Sequence, residues 1–339
     1  MDALRWLVHD EAARLIGTFS AGSPYGPPAL CGALLFALGW FVWRRRARGR
    51  GASLKTFARA IFPRRVLLHP SSLVDMRLWV LNTLVFAGGY GLLVVGSFFW
   101  RDRMVSALTA AFGAHGPLGI PPGLAILVAT LAELLAYEFG YWAAHYAFHR
   151  IPALWEFHKV HHSAEVMTTF TEMRQHPVEI VFFMNVMALT TGLTFGLMAY
   201  ALGPGVGHMT LLNGNIVLAL FMLTWGHLRH SHLWIPFQGV AGRLFQSPAH
   251  HQVHHSTDPR HFDKNLGFAL AVWDWAFGTL HIPARECEVS RFGVGEDYRD
   301  YATVGRSLAR PFAKAGEALR QAPAPLAGEG GGAGPASRL

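Results

Sequence analysis

The feature that most constrains the fold of this 339-residue chain is its five long apolar segments. A helix needs about 20 apolar residues to cross the ~30 Å hydrocarbon core of a bilayer, and each segment approaches or exceeds that length. Only 15% of the residues are charged, against about 25% in soluble domains. The sequence therefore predicts an all-α integral membrane protein with about five transmembrane helices. The segments run from about Pro24 to Trp43, Leu78 to Trp100, Pro122 to Ala144, Val178 to Leu202 and Met209 to Trp225.

Basic residues between these segments predict the orientation of the chain. The connection 44–75 contains nine Lys and Arg residues, the connection 101–121 contains two, and the turn 203–208 contains none. Because cytoplasmic loops are enriched in Lys and Arg, we expect the connection 44–75 to lie in the cytoplasm. The N-terminus would then lie on the outer side of the membrane, which we expect to be a bacterial inner membrane. The first apolar segment does not follow a basic region, so we expect an anchor helix and not a cleaved leader. We therefore attribute the net charge of +8 to basic residues that set the orientation in the membrane, and we expect no nucleic-acid partner.

Histidines are concentrated in short runs, and the runs fall on one side of the predicted membrane. HYAFH occupies 145–149, HKVHH occupies 158–162 and HQVHH occupies 251–255. Helical positions i and i+4 lie on one face with Cβ atoms ~5–6 Å apart, so the imidazoles of each run can reach one metal ion. Thirteen of the nineteen histidines map to the cytoplasmic side. The pattern therefore predicts a helical, histidine-rich, metal-binding cap on the cytoplasmic face.

The number of histidines favours two ions over one. Eight or more imidazoles exceed the four ligands of a structural zinc site, and adjacent histidines point about 100° apart on a helix, so a pair can serve two ions. Imidazole binds Zn, Cu, Fe and Ni, so the ligand type alone does not identify the metal. Cys31 and Cys287 are too far apart in the sequence to suggest a thiolate site. A histidine-rich metal carrier is the alternative, but carriers bind their ions near the bilayer midplane, whereas these runs lie at the ends of apolar segments.

Further motifs accompany the histidine runs in a fixed order. RIPALW follows the first run, RQHPVE occupies 174–179, and DKNLGFALAVWDWAFGT occupies 263–279. Together with the runs, over about residues 125–282, these motifs resemble the fatty acid hydroxylase and sterol desaturase superfamily of integral-membrane di-iron enzymes.

Carried over residue by residue, the resemblance implies metal ligands in all three runs. It leaves open which of His227, His230 and His232 completes the metal shell, because His232 stands where the family often has asparagine. His176 matches the family's HPxE motif, either as a ligand or as a residue that supports one. The implied set is His145, His149, His158, His161, His162, His176, His227, His230, His251, His254 and His255.

The resemblance also implies a reaction and its partners. Two iron ions would use O₂ as co-substrate, and electrons from a separate donor, to hydroxylate or desaturate a C–H bond, with hydroxylation preferred. The substrate would be a lipid from the bilayer: a fatty acyl chain, a sterol, a carotenoid or an ether lipid. We expect a membrane anchor region at 1–118, the catalytic domain at 119–283 and a polar to disordered tail at 284–339.

Glu138 is the candidate catalytic residue outside the histidine runs. It lies seven residues before His145, so both side chains share a helix face about 10 Å apart along the axis. An ionisable residue inside a span faces protein or a cavity by default, and we hypothesise that Glu138 lines the pocket above the metals. A helix-packing hydrogen bond with a polar partner such as Asn185 is the alternative.

Carboxylates near the runs are candidates to support the ligands. Metal-bound histidines usually donate their second ring N–H to a carboxylate or a carbonyl oxygen. The candidates are Glu138, Glu165, Glu172, Glu179 and Asp263.

Overall fold

The computed structural model describes residues 20–23, 25–83, 89, 92–114 and 116–321, and these residues are predominantly helical. The helices are α1 (Pro27–Ala47), α2 (Leu54–Ile61), α3 (Arg64–Leu67), α4 (Pro70–Leu81), α5 (Ser97–Phe112), α6 (Pro122–Arg150), α7 (Pro152–His162), α8 (Pro177–Leu202), α9 (Ile216–Thr224), α10 (Gly239–Leu244), α11 (Pro248–His254), α12 (Val272–Phe277) and α13 (Val304–Gln321). Antiparallel strands β1 (Thr210–Leu211) and β2 (Gly214–Asn215) form a small hairpin. Short 3₁₀ turns lie at Thr169–Met173, Gly226–Leu228, Pro259–His261 and Gly295–Tyr301.

Among the described residues, three helices are long and apolar enough to cross a membrane: α1, α6 and α8. They contain 21, 29 and 26 residues and correspond to the first, third and fourth predicted segments. At about 1.5 Å per residue, each is roughly 30 Å long or more, which matches the hydrocarbon core. This architecture agrees with a helical membrane protein. The described residues contain three candidate spanning helices, and the expected count of five is not confirmed.

The other two predicted segments do not form single spanning helices in the described part of the chain. In the fifth, Leu212 and Asn213 adopt positive φ angles of 51° and 56° as the two central residues of the β1–β2 hairpin turn, a geometry typical of two-residue hairpin loops. The helix that follows, α9, has nine residues and is about 14 Å long. In the second, α4 ends at Leu81, and α5 begins at Ser97 after the N-cap Gly96. Turn chemistry thus interrupts the fifth segment, which hydropathy alone reads as continuous, whereas part of the second segment lies outside the described residues.

Glycines on α8 allow α5 to pack closely against it. A Cβ atom at Gly192 would collide with the carbonyl oxygen of Ser97, and a Cβ atom at Gly196 would collide with that of Arg101. Two small residues four positions apart are a common way for membrane helices to bring their backbones together. The same helix packs against α6 at Gly140, where a Cβ atom would meet the Thr190 side chain. α8 therefore holds α5 and α6 in one layer.

A buried ion pair fixes α4 near α7. The Arg174 side chain is fully buried and donates from Nη1 to Asp75 Oδ1 on α4 at 2.7 Å. Its Nε donates to the Val160 carbonyl oxygen of α7 at 2.7 Å, and its Nη2 donates to the Tyr301 carbonyl oxygen at 3.2 Å. Because a guanidinium carries five N–H donors in a rigid fork, this one side chain joins three segments that are distant in the sequence.

The C-terminal region departs from the predicted disordered tail. The chain forms α13 there, with Pro311 inside the helix. Ala315 is buried in a cluster with Phe157 of α7. A strongly amphipathic helix gains stability by burying its apolar face, and this packing orders residues 304–321 of the region that was expected to be polar to disordered. Residues 322–339 lie outside the described part of the chain.

Candidate metal centre

The junction between α6 and α7 turns the first two histidine runs toward each other. Ile151 is at once the C-cap of α6 and the N-cap of α7, which starts with Pro152. Proline is well suited to the first position of a helix, while the residue before it is disfavoured in the α conformation. The chain therefore bends between the two runs, and the ring centroids of His145 and His158 lie 4.9 Å apart.

The third run is positioned by a capping box at the start of α11. The Ser247 Oγ accepts a hydrogen bond from the His250 N–H at 3.3 Å, and His250 Nδ1 accepts one from the Ser247 N–H at 3.2 Å. This box satisfies amide groups that would otherwise lack partners at the helix start. His251 and His254 follow on the short helix, and His255 is its C-cap.

The structure brings nine histidines into two adjacent groups. Within each group the candidate ligand atoms all lie within 4.8 Å of one another. The rings of His162 and His255 stack across the boundary with centroids 4.5 Å apart, so the groups are neighbours. The five-histidine group comprises His145, His149, His158, His162 and His254. The four-histidine group comprises His161, His230, His251 and His255.

Two carboxylates fix imidazoles of the five-histidine group. Glu179 is fully buried, and its Oε1 accepts the Nδ1–H of His158 at 2.9 Å. Asp263 accepts the Nδ1–H of His149 at 3.2 Å and pairs with Arg150 at 3.0 Å. A proton on Nδ1 leaves Nε2 with a lone pair that is free to bind a metal. Glu179 and Asp263 are among the five carboxylates that the sequence suggested for this role.

Two backbone carbonyl oxygens fix two further imidazoles. The Nδ1–H of His145 donates to the Leu266 carbonyl oxygen at 2.7 Å, and that of His254 donates to the Lys264 carbonyl oxygen at 2.9 Å. Both carbonyl groups belong to the loop 264–270, which we call the carbonyl loop. Backbone partners of this kind cannot be inferred from residue types, so sequence analysis did not identify these two carbonyl groups.

Asp274 organises the carbonyl loop. Its carboxylate accepts hydrogen bonds from the N–H groups of Leu266 and Gly267, both at 2.8 Å, and from the Thr279 hydroxyl at 2.6 Å. Burial raises the pKa of Asp274 to about 6, and these hydrogen bonds oppose the rise. The WDWAFGT motif, which contains both Asp274 and Thr279, therefore supports the centre through the loop rather than by direct contact.

The Nε2 atoms of each group point at one another. His145 Nε2 lies 3.0 Å from His158 Nε2, although both rings carry their proton on Nδ1. In the four-histidine group, His251 Nε2 lies 2.7 Å from His230 Nε2 and 3.1 Å from His255 Nε2. Two lone pairs at such distances repel each other unless a cation lies between them. The donor set therefore fits metal ions.

Burial keeps these histidines neutral and leaves several ring nitrogens without partners. Desolvation, reinforced by neighbouring histidines, lowers the pKa of His158, His162 and His255 well below the ordinary value. Burial lowers the pKa of His161 to about 3. Buried polar atoms rarely remain unpaired in proteins, so the unpaired Nε2 atoms of His149 and His254 also indicate that an ion belongs here. In the four-histidine group the unpaired atoms are His161 Nδ1, His230 Nδ1, His251 Nδ1 and His255 Nδ1.

His176 lies outside both groups. It is the N-cap of α8, where its Nδ1 accepts a hydrogen bond from the Val178 N–H at 3.1 Å. Its Nε2–H donates to the Leu308 carbonyl oxygen of α13 at 3.1 Å. Both ring nitrogens are therefore used in holding helices.

Of the three histidines left open by the sequence, His230 alone joins a group. His227 contacts the Tyr25 ring, with centroids 5.5 Å apart, and is not a member of either group. His232 donates from Nε2 to the Ala60 carbonyl oxygen at 2.6 Å.

Glu138 is fully buried and contacts the carbonyl loop. Its carboxylate accepts hydrogen bonds from the Ala269 N–H at 3.0 Å and from the Leu270 N–H at 3.0 Å. Asn185, the suggested packing partner, instead donates to the Leu93 carbonyl oxygen. Glu138 thus anchors the carbonyl loop to α6.

A cleft of about 800 Å³ reaches the five-histidine group from the protein surface. Its wall includes His149 and His254, together with the polar residues Lys159 and Thr257. His145, in contrast, packs its ring against Tyr141, with centroids 5.6 Å apart. The group therefore opens to the cleft on one side and meets an aromatic ring on the other.

The fatty acid hydroxylase family matches residues 130–279, the region that contains all nine clustered histidines. The chain is 28% identical to the alkylglycerol monooxygenase of Xenopus tropicalis over 152 residues, which are 45% of this chain and 30% of that protein. It is 26% identical to the ornithine lipid hydroxylase OlsE of Rhizobium tropici over 221 residues, 65% of this chain and 55% of that protein.

A third relative carries a different printed activity. The chain is 30% identical to the very-long-chain aldehyde decarbonylase GL1-1 of Oryza sativa subsp. indica over 202 residues, 55% of this chain and 29% of that protein. The chain thus spans between about a third and about half of the length of these relatives. No solved structure matches the chain.

Proposed function

Because residues 130–279 belong to the fatty acid hydroxylase family, we propose that this protein is a membrane oxidoreductase that holds two iron ions and hydroxylates a lipid with O₂. The observation that carries the proposal is the convergence of nine histidines in two adjacent groups, with Nε2 atoms that face one another. Imidazole suits zinc and copper as well as iron, and the family match favours iron.

In this proposal each histidine group holds one ion. When bound, the iron pair supplies the activation of O₂ and the oxidation of a C–H bond. The protein's part is to hold the ions side by side and to position the target carbon. In the five-histidine group, Glu179, Asp263 and the carbonyl loop contribute to the first task by fixing four imidazole rings. Their hydrogen bonds to Nδ1–H also leave the Nε2 atoms of these four rings unprotonated.

The substrate is proposed to be a lipid with a long alkyl chain and a polar end. The names of the relatives refer to an alkylglycerol, an ornithine lipid and a very-long-chain aldehyde, and these share that plan. Tyr141 contacts Phe183 and Phe268 with centroids 5.1 Å and 5.0 Å apart, and this aromatic wall beside His145 suits an alkyl chain. Hydroxylation is preferred over desaturation because two of these relatives are named as a monooxygenase and a hydroxylase.

The histidine groups are proposed to face the cytoplasm. Glu286, which follows the centre in the sequence, pairs with Arg44 at 3.0 Å and with Arg48 at 2.8 Å. The basic end of α1 therefore lies beside the region of the metal centre, and basic segments favour the cytoplasmic side. The cleft, which is open at the protein surface, gives a separate electron donor a route to the five-histidine group. The same proposal keeps a membrane anchor region at 1–118, the catalytic domain at 119–283 and a C-terminal tail at 284–339.

The test is anaerobic purification of the full chain in detergent, with metal analysis and Mössbauer spectroscopy. We expect two irons per chain with antiferromagnetic coupling, and addition of one oxygen atom to an alkyl lipid in the presence of O₂ and a chemical reductant. His158→Ala and His251→Ala, one from each group, should lose iron and product, whereas the exposed Glu286→Gln should keep both. A chain that moves metal into vesicles and gives no O₂-dependent product would instead be a carrier.

A further inference from the structure

A third set of metal-ligand side chains lies outside the two histidine groups. It consists of His261, His281 and Glu288, whose candidate ligand atoms all lie within 4.8 Å of one another. His261 ends the 3₁₀ turn that follows the last histidine run, and the other two residues lie in the segment after α12. None of the three belongs to the five-histidine or the four-histidine group.

The spacing of the three side chains is close to that of a tetrahedral metal site. His281 Nε2 lies 3.1 Å from Glu288 Oε1, and His261 Nε2 lies 3.9 Å from Glu288 Oε2. With metal–ligand bonds of about 2.0–2.1 Å, ligand atoms of a tetrahedral ion are about 3.3 Å apart. The two histidine–carboxylate separations therefore lie within 1 Å of that spacing, and all ligand atoms of the set lie within 4.8 Å of one another.

The surroundings of the three side chains suit a bound ion. The His261 side chain is 1% exposed, and its Nε2 is the nitrogen that faces Glu288, while its Nδ1 has no hydrogen-bond partner. The two partners are held in place from outside the set. The Ala284 N–H donates to Glu288 Oε1 at 2.9 Å, and the His281 N–H donates to Asn265 Oδ1 at 2.8 Å. His281 and Glu288 are 29% and 24% exposed, so an ion can enter from solvent.

We propose that His261, His281 and Glu288 bind a third divalent transition-metal ion of the Zn²⁺ type, separate from the two histidine groups. Two imidazoles and one carboxylate suit Zn²⁺, and three protein ligands leave a fourth position for water. The ion joins the segment just after His255 to the segment just after Thr279. These segments flank the carbonyl loop that orients His145 and His254, so the ion braces the centre without taking part in its chemistry.

The test is Co²⁺ binding to the full chain in a His158→Ala, His251→Ala background, which weakens both histidine groups. We expect one Co²⁺ per chain with the absorption bands of tetrahedral coordination, and Zn²⁺ should displace it. Adding His281→Ala or the isosteric Glu288→Gln should remove that ion and its bands. Glu286→Gln, a matched loss of carboxylate two residues away on the surface, should leave both unchanged.

The proposal is overturned if the His281→Ala and Glu288→Gln chains bind Co²⁺ with unchanged stoichiometry and spectrum. It is also overturned if the background chain binds no Co²⁺ while keeping its thermal unfolding transition. In the same His158→Ala, His251→Ala background, Zn²⁺ should raise the unfolding temperature, and adding either variant should reduce that rise. The result does not depend on the identity of the metals in the two histidine groups, so it can fail or succeed independently of the proposed oxygenase activity.

Discussion

At the residue scale, Glu179 is the carboxylate with the shortest contact to a histidine of the two groups. It is buried and accepts the Nδ1–H of His158 at 2.9 Å. Glu179→Gln keeps an acceptor oxygen of similar shape but removes the negative charge, so the imidazole becomes a weaker donor to a metal. We expect iron affinity to fall about 10–100-fold, measured by anaerobic competition with a chelator.

Glu156→Gln provides the matched control for this prediction. Glu156 lies on α7 and pairs with Lys159 at 2.8 Å. The change therefore removes a carboxylate that lies on the same helix as His158 but forms its ion pair with a lysine. We expect its iron affinity to remain at the wild-type value. Equal losses in the Glu156 and Glu179 variants would mean that general charge, and not the contact with His158, sets the affinity.

His176 provides a second residue-scale prediction, because its contacts are those of a helix cap. His176→Ala removes the acceptor for the Val178 N–H and the donor to the Leu308 carbonyl oxygen. We expect a loss of about 0.5–2 kcal/mol in the free energy of unfolding, the usual cost of losing a cap, with unchanged iron per chain. Loss of an iron equivalent at unchanged stability would instead make His176 a ligand.

The sequence predicted the clustering of eight of the nine histidines, because helical spacing places them on common faces. His230 lies in a turn, where no periodicity separates it from His227 and His232, and so three alternatives remained open. The carbonyl oxygens of Leu266 and Lys264 were not predictable, since the backbone carries no residue identity. Glu138 shows the same limit: its partners are the amide groups of a loop more than 130 residues away.

At the element scale, the contact between α5 and α8 depends on Gly196. A side chain there would collide with the Arg101 carbonyl oxygen and the Met104 side chain. We expect Gly196→Val to lower the free energy of unfolding by about 1–3 kcal/mol, the usual cost of overpacking, measured by thermal unfolding in detergent. Gly39→Val on α1 is the control, because a Cβ atom at Gly39 meets nothing within 4 Å. Equal unfolding temperatures for the two variants would contradict close packing of α5 on α8.

The elements that sequence analysis misjudged are those in which local chemistry competes with hydropathy. The segment 209–225 is mostly apolar, but Leu212 and Asn213 form a tight hairpin turn within it, directly before Gly214 of β2. The sequence Asn-Gly is itself a strong hairpin signal, and a count of apolar residues conceals it. In α13, conversely, composition suggested disorder, whereas packing of Ala315 beside Phe157 stabilises a helix.

At the scale of the whole molecule, the buried histidines make the metal-free protein sensitive to acid. Burial lowers the pKa of His161 to about 3 and lowers that of His255 well below the value of 6.5 that an exposed histidine has. Between pH 6.5 and 3 the unfolded chain therefore binds more protons than the folded chain, and stability decreases as the pH decreases. Each such histidine contributes up to about 1.4 kcal/mol per pH unit.

Denaturant unfolding of the metal-free protein between pH 7 and pH 5 measures this effect. We expect the midpoint to move to lower denaturant concentration as the pH falls, and iron-loaded protein should resist the change because protons must then compete with the metal. His161→Gln removes one titrating group, so its stability should vary less steeply with pH. A midpoint independent of pH in the metal-free chain would show that these imidazoles are accessible to protons in the folded state.

The orientation of the whole molecule can be read from one thiol. Cys31 and Cys287 are both free and exposed, and Cys31→Ser leaves Cys287 as the single thiol of the chain. Because the adjacent Glu286 pairs with Arg44 and Arg48, Cys287 lies on the same side of the membrane as the basic end of α1. If that side is cytoplasmic, a membrane-impermeant maleimide should label Cys287 only after the cells are permeabilised. The Cys31→Ser, Cys287→Ser chain gives the background, and labelling of Cys287 in intact cells would place the metal centre on the opposite face and require an electron donor outside the cell.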